Sequence, residues 1–298
     1  MKAVILGAII TFLGWQLLLS NDAFAQNKSA GEGVYKTQSG PLTIVAISDA
    51  QSVMKYDLLI GISLGAQKKI ASDNKLSANA QGYPSWVNAF LVVFPGGTVL
   101  VDTGNGPSAN LIPNLKEAGF TPDDITAVLL THFHPDHIGG LLDSSGQAQF
   151  KNAVVYADAL EDDYWIGQKS NTKAIKALEP YKQSGRYQTF SPGDQVIDGV
   201  TAVELYGHTP GHVGFLFEGG QEPFLFWGDI VHVYMVQFAL PEVSLTFDVD
   251  SKAAAVTRRK IFDEAAQKGY LVAGAHLPFP GMGRVKVSGQ AFEYQSVQ

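Results

Sequence analysis

Apolar residues along this chain gather into short runs bounded by turn residues, with three longer stretches of helical character between them. Residues 41–48 open the first strand, and residues 87–94 form a second, more continuous apolar run. Pro95-Gly96-Gly97 reads as a turn, and residues 98–101 as a strand ending in Asp102-Thr103-Gly104. Residues 125–130 form a β-branched apolar run that leads into Thr131-His132-Phe133-His134. Further strands are expected at 154–156, 196–205, 213–217, 224–227 and 270–273. Helices are expected at 108–118 and, in a mixed pattern, across 157–181. The clearest helix is 251–268, with Ser251 as N-cap and Gly269 just beyond its end. Residues 27–40 read as a flexible lead, and 67–84 as an exposed loop. Strands alternate with helices, and polar motifs stand where strands end. That order suits an α/β (α+β) domain spanning 41–298 with its site at a sheet edge.

The N-terminus has another logic. Lys2 precedes an apolar stretch, residues 3–19, and Ala23-Phe24-Ala25 has the small-x-small form of a cleavage site. We expect a signal peptide at 1–25, a flexible lead at 26–40, and a periplasmic or secreted product without stable membrane association after cleavage. The chain has no cysteine, so disulfides, thiolate ligands and lipid attachment at cysteine are excluded. Any metal must be held by imidazole and carboxylate. The formal net charge of −7 disfavours a nucleic-acid partner.

All seven histidines lie between positions 132 and 276. The densest group is His132-Phe133-His134-Pro135-Asp136-His137. Residues two apart in an extended segment point the same way, so His132 and His134 can reach one ion. Pro135 then breaks the strand and turns Asp136 and His137 towards the same place. Gly139-Gly140 would let the backbone pass closely beneath it. A polar turn with histidines by accident is the bland alternative, and this density argues against it. In Gly207-His208-Thr209-Pro210-Gly211-His212, either imidazole could be a ligand. His208 stands directly at the strand end and is preferred, with His212 as hydrogen-bonded support. Asp229, at the end of an apolar strand, is costly unless paired or metal-bound, although a helix N-cap is the commoner role for such a residue. His276 taken alone is a weak signal.

Together these residues resemble the metallo-β-lactamase superfamily, in the HxHxDH pattern at 132–137 followed in order by His208, Asp229 and His276. The resemblance implies a four-layer αββα sandwich with a dinuclear site at one edge of its sheets. His132, His134 and His208 would hold one metal, Asp136, His137 and His276 the other, and Asp229 would bridge them. Asp102-Thr103-Gly104 matches a strand-end turn that supports such a site. Two ions about 3.5–4 Å apart can share a water and lower its pKa, so that a bridging hydroxide attacks carbon or phosphorus. Zinc suits the His/Asp set best, and manganese, cobalt and iron also fit it.

Residues 227–238, 247–252 and 276–281 look like the methyl-parathion hydrolase group of lactonases and aryl esterases, some members of which hydrolyse organophosphate triesters. The stretch between His137 and His208 is shorter here than in the group's organophosphate hydrolases, where it carries part of an aromatic pocket. The expected substrate is a small lactone or aryl ester, with phosphotriesters as an extension. Asp136 and His232 are the candidate catalytic groups, His232 as a proton donor to the leaving oxygen. Trp165, His232, Phe238 and Phe247 are the candidate pocket wall.

A β-lactamase and a thioester hydrolase of the glyoxalase II type are the rival enzymes. The lactamase branches lack the bridging Asp, and glyoxalase II enzymes carry an additional C-terminal domain. Redox di-iron relatives have Glu in place of His134. A non-catalytic periplasmic metal binder is the rival from another class, and a homodimer is compatible with the sequence. N-terminal sequencing of the protein from its native host should find Gln26 first; a chain still starting at Met1 would refute the leader.

Overall fold

The computed structural model describes residues 32–76 and 80–297, so the leader expected at 1–25 lies outside the described residues. Side-chain alternation along the long strands builds the layers. In the strand Leu42–Lys55, Val45 and Ile47 face one way while Ile44 and Ala46 face the other. The neighbouring strand Gly82–Phe94 splits likewise, Ala89 and Leu91 against Phe90 and Val92. This is the first of two seven-stranded sheets, ordered Val34–Ser39, Leu42–Lys55, Gly82–Phe94, Gly97–Val101, Ala127–Leu129, Val154–Asp158, Tyr187–Phe190. The second runs Ala291–Ser296, Met282–Ser288, Leu271–Ala273, Phe224–Phe226, Val213–Phe217, Val200–Glu204, Gln195–Ile197.

Three apolar clusters hold the layers together. Between the sheets, Ile44, Phe90, Val92 and Val99 meet Phe215, Phe217, Phe224 and Phe226, with the Phe90 and Phe226 rings 5.2 Å apart. On the outer face of the first sheet, Leu111, Leu115, Leu178 and Tyr181 of the helices Leu111–Glu117 and Thr172–Gln183 cover Val45, Ile47 and Leu91. On the outer face of the second, Ile261, Phe262 and Ala265 of the helix Ser251–Lys268 cover Leu225 and Val272. Each large apolar side chain buried this way contributes about 1.5–3 kcal/mol. The result is the expected four-layer αββα sandwich.

Several local expectations are corrected. Residues 34–39 are an edge strand and not part of a flexible lead, paired with Leu42–Lys55 in a register that sets Val34 opposite Ile47. An edge strand needs only one apolar face, so its polar composition concealed it. Residues 67–84 are not a loop. The helix Leu64–Asp73 covers the first part, started by Ser63 accepting from the Ala66 N–H, and a strand begins at Gly82. That helix buries Gln67, whose carbonyl accepts from the Tyr83 hydroxyl, and so lacks a clean apolar stripe. Residues 196–205 form a hairpin of two strands rather than one. The cap of the last long helix is Asp250, which accepts from the N–H groups of Lys252 and Ala253, not Ser251.

Phe238 is also corrected. It is buried in the outer core, stacked on Phe262 with ring centres 4.6 Å apart and on Tyr294 at 5.2 Å, and forms no part of a pocket wall. Phe238→Ala should therefore cost about 3–5 kcal/mol of stability in chemical unfolding while leaving KM unchanged. A raised KM with a stability loss below about 1 kcal/mol would restore it to the pocket.

Candidate metal centre

Two parallel strand pairs bring the polar turns to one edge. In the first sheet Val101 pairs with Leu129, so Asp102 and the Thr131-His132 turn leave the sheet side by side. In the second, Phe226 pairs with Ala273, which places Asp229 and His276 the same three residues beyond their paired positions. His208 arrives from the end of Val200–Glu204. Two close backbone approaches need glycine. A side chain at Gly140 would collide with the Thr103 carbonyl, and one at Gly228, at φ +55°, would lie 2.6 Å from His212 Nε2.

The seven sequence-chosen ligands converge around one carboxylate. Asp229 is 2% exposed. Its Oδ2 lies 3.2 Å from His208 Nε2, 3.2 Å from His276 Nε2 and 3.5 Å from His132 Nε2, and its Oδ1 lies 3.2 Å from His137 Nε2. His134 Nδ1 is 3.0 Å from both His132 Nε2 and His208 Nε2. Asp136 Oδ2 stands 3.5 Å from His276 Nε2 and 3.8 Å from His137 Nε2. Donor atoms of His132, His134, His208 and Asp229 fall within 4.8 Å of one another, as do those of Asp136, His137 and His276. This is the partition that the resemblance implies.

The outer nitrogens say how the rings are oriented. His137 Nδ1 is 2.7 Å from Asp102 Oδ2, His208 Nδ1 is 2.7 Å from Asp248 Oδ1, and His276 Nδ1 is 2.6 Å from the Trp86 carbonyl. The Thr131 hydroxyl donates to Asp102, leaving its oxygen to accept from His132 Nδ1 at 3.0 Å. Each of these four rings thus has an acceptor for an Nδ1 proton, which directs an Nε2 lone pair inwards. His137 Nε2 and Asp229 Oδ1 are buried without a hydrogen-bond partner. Orphans of this kind cost about 1–3 kcal/mol each unless something fills the gap. Inward lone pairs, orphaned atoms and oxygen–nitrogen donors together fit divalent metal ions.

Electrostatics agree. Burial, then the neighbouring imidazoles, holds His134 down at about 3 and His132 well below the usual imidazole range, which suits neutral ligands. Burial also works against charge on His137 and His208. Carboxylates outweigh it, Asp229, Asp102 and Asp136 holding His137 well above the usual range, and Asp229 and Asp248 raising His208 to about 9. Burial opposes ionisation of Asp229, yet His137, His276 and His232 keep it well below the usual carboxylate range. Positive charge on His137 and His208 thus balances Asp229, and bound cations would take that place by displacing those protons and freeing the Nε2 lone pairs.

His212 takes the supporting place. Its Nδ1 lies 3.0 Å from the Leu205 carbonyl, and its Nε2 accepts from the Asp229 N–H at 3.0 Å. His232 is buried, with Nε2 3.1 Å from Asp229 Oδ2 and its ring stacked on His276 at 4.7 Å. Asp229, His232 and His276 also converge as a trio. Unlike the rings of His132, His137, His208 and His276, His232 has no acceptor for its Nδ1, which is buried and unpartnered, and it stands apart from the seven candidate ligands. A cleft of about 230 Å³ opens beside the centre, with His134, Asp136, His232 and His276 on its polar side and Met54 and Phe247 on its apolar side. Trp165 stands behind His134, ring centres 5.5 Å apart, and does not line that cleft. Sequence reasoning gave no role to Asp248, Arg258 or Glu161. Buried Arg258 donates to the carbonyls of Ile230, Pro241 and Val243, bracing the segment that carries His232. None of the three belongs to a dense motif, and each becomes visible only through contacts far away in sequence.

The model of the metallo-β-lactamase superfamily matches residues 83–283. The chain belongs to the metallo-β-lactamase superfamily. Among solved structures, the superfamily hydrolase AbOPH is similar over 91% of this chain and 99% of its own, at 30% identity and a TM-score of 0.85. AidC, a dizinc quorum-quenching lactonase solved with a product bound, is similar over 89% of this chain and 98% of its own, at 25% identity and a TM-score of 0.82. A probable metallo-hydrolase of Mycobacterium tuberculosis is 24% identical over 68% of this chain and 75% of its own length. An N-acyl homoserine lactonase of a Bacillus species is 26% identical over 45% of this chain and 58% of its own.

Asp229→Ala should lose one or both ions in elemental analysis and lower kcat by at least about 100-fold. An unchanged pair of ions with normal turnover would remove Asp229 from the bridging position.

Proposed function

We propose that this member of the superfamily is a dinuclear metal-dependent hydrolase of lactones or aryl esters, exported to the periplasm or beyond. The observation that carries the reading is the inward convergence of two groups, His132, His134 and His208 and then Asp136, His137 and His276, around the buried carboxylate of Asp229. Two divalent ions there, zinc by donor type, supply an acidified water and stabilise charge on the substrate oxygen. The remaining work falls to this chain's own groups. Asp102, Asp248 and the Trp86 carbonyl fix the rings of His137, His208 and His276. Met54 and Phe247 offer apolar contact to an acyl or aryl group at the cleft mouth. His232 faces the same cleft, and burial, offset only in part by Asp229, holds its pKa near 4. It is therefore uncharged at neutral pH, and its one N–H can stabilise charge on a leaving oxygen by hydrogen bonding rather than by giving up the proton, which would leave an imidazolate. The likeness to AidC supports a lactone as substrate.

The test is one kinetic screen of the zinc-loaded protein on a lactone, an aryl ester, a phosphotriester, a cephalosporin and an S-acyl thioester. The lactone or aryl ester should exceed the cephalosporin and thioester by about 100-fold in kcat/KM, a difference of about 2.7 kcal/mol. Faster turnover of either rival names that activity instead, and no turnover of any substrate would leave a metal-binding protein. In the same screen His232→Leu should keep both ions and slow alkyl leaving groups about 10-fold more than nitrophenolate, which is already a stable anion and gains little from a hydrogen bond. Equal losses would reduce His232 to a packing role.

A further inference from the structure

One buried carboxylate beside the centre is not among the seven ligands. Glu161 is 1% exposed and sits on the one-turn helix Ala159–Asp162. Its Oε1 accepts from the Phe133 N–H at 2.8 Å and from the Trp165 indole N–H at 2.5 Å. Its Oε2 accepts from the Thr209 hydroxyl at 2.8 Å and from the Gly211 N–H at 3.0 Å. Phe133 stands between His132 and His134, and Thr209 follows His208. One side chain therefore ties together two turns that come from different sheets, the first after Ala127–Leu129 and the second after Val200–Glu204. These turns carry His134 and the two imidazoles, His132 and His208, whose Nε2 atoms lie 3.0 Å from its Nδ1.

The chemistry of the four contacts is specific. A carboxylate is acceptor-only and can take donors on both oxygens, whereas a glutamine amide must turn its own N–H groups towards one pair of donors. Charge-assisted hydrogen bonds of this kind are about twice as strong as neutral ones. The approach is also close: a side chain at Gly211 would collide with the Glu161 backbone. Trp165, held by the same carboxylate, stands edge-on to the His134 ring.

We propose that Glu161 is a positioning residue. By holding the 132–134 turn against the 208–211 turn, it sets the affinity of the metal position formed by His132, His134 and His208, without touching the ion. The proposal rests on the dinuclear reading of the site.

The experiment titrates zinc into the metal-free protein against a chromophoric chelator, for the native chain, for Glu161→Gln and for Thr209→Val. The last deletes one donor and keeps the volume, so it stands in if Glu161→Gln does not fold. The native chain should bind two ions. Glu161→Gln should bind one ion as the native chain does and the other about 10–100-fold more weakly. Thr209→Val should weaken the same ion in the same direction by a smaller factor. Anomalous scattering from crystals grown with limiting zinc should show the emptied position to be that of His132, His134 and His208. Thermal unfolding of the metal-free proteins reads out a purely structural role. A lower Tm with both ions weakened alike would overturn the proposal, as would two unchanged affinities. Fewer than two ions on the native chain would instead overturn the dinuclear reading itself.

Discussion

The centre depends on one buried negative charge. Asp229 is almost wholly removed from water, and Nε2 atoms of five imidazoles stand within 3.5 Å of its two oxygens. An isolated carboxylate in such a place would be driven to take up a proton. Bound cations would remove that pressure; Oδ2 faces the Nε2 atoms of His132, His208, His232 and His276, and Oδ1 faces that of His137. The carboxylate and the rings therefore make sense only as a unit. Removing one member leaves the others buried without the partners that justify their burial.

A second ring of contacts makes this unit rigid. Asp102 holds His137 and, through Thr131, His132; Asp248 holds His208; the Trp86 carbonyl holds His276; and His212 holds the backbone of Asp229. These contacts cross long sequence distances, and they direct lone pairs rather than protons into the pocket. Asp102 is itself at φ +59°, an uncommon conformation for a residue with a side chain, and its two oxygens accept from Thr131 as well as facing His137. The four-layer core supports the arrangement by fixing both parallel strand pairs in register, so that their loops leave the sheets at one edge.

The cleft combines a dense polar wall with a modest apolar one. Phe247 is 44% exposed at the mouth, and Met54 projects from the far end of the long strand Leu42–Lys55. Such a wall can place an uncharged group beside the polar centre without adding charge of its own. That is the physical basis on which an ester or lactone is the proposed substrate.

The sequence by itself determined the apolar strands, their alternation with helices and the residues that converge at the candidate metal centre. Both kinds of signal are local: strand faces alternate with period two, and three His and one Asp fall within six residues at 132–137. It does not separate His208 from His212 by strand-end position, since the strand ends at Glu204 and His212 directly precedes Val213–Phe217; their contacts with Asp248, and with Leu205 and the Asp229 N–H, do. The edge strand Val34–Ser39 and the helix Leu64–Asp73 escaped it, since neither carries a clean apolar period. Only the tertiary structure decided that Phe238 is core, that Trp165 backs His134, and that Asp248, Arg258 and Glu161 brace the site. An acid or a base on a helix looks the same in sequence whether it meets water or a buried turn. What tells them apart is packing between segments up to tens of residues distant, and no local pattern encodes that.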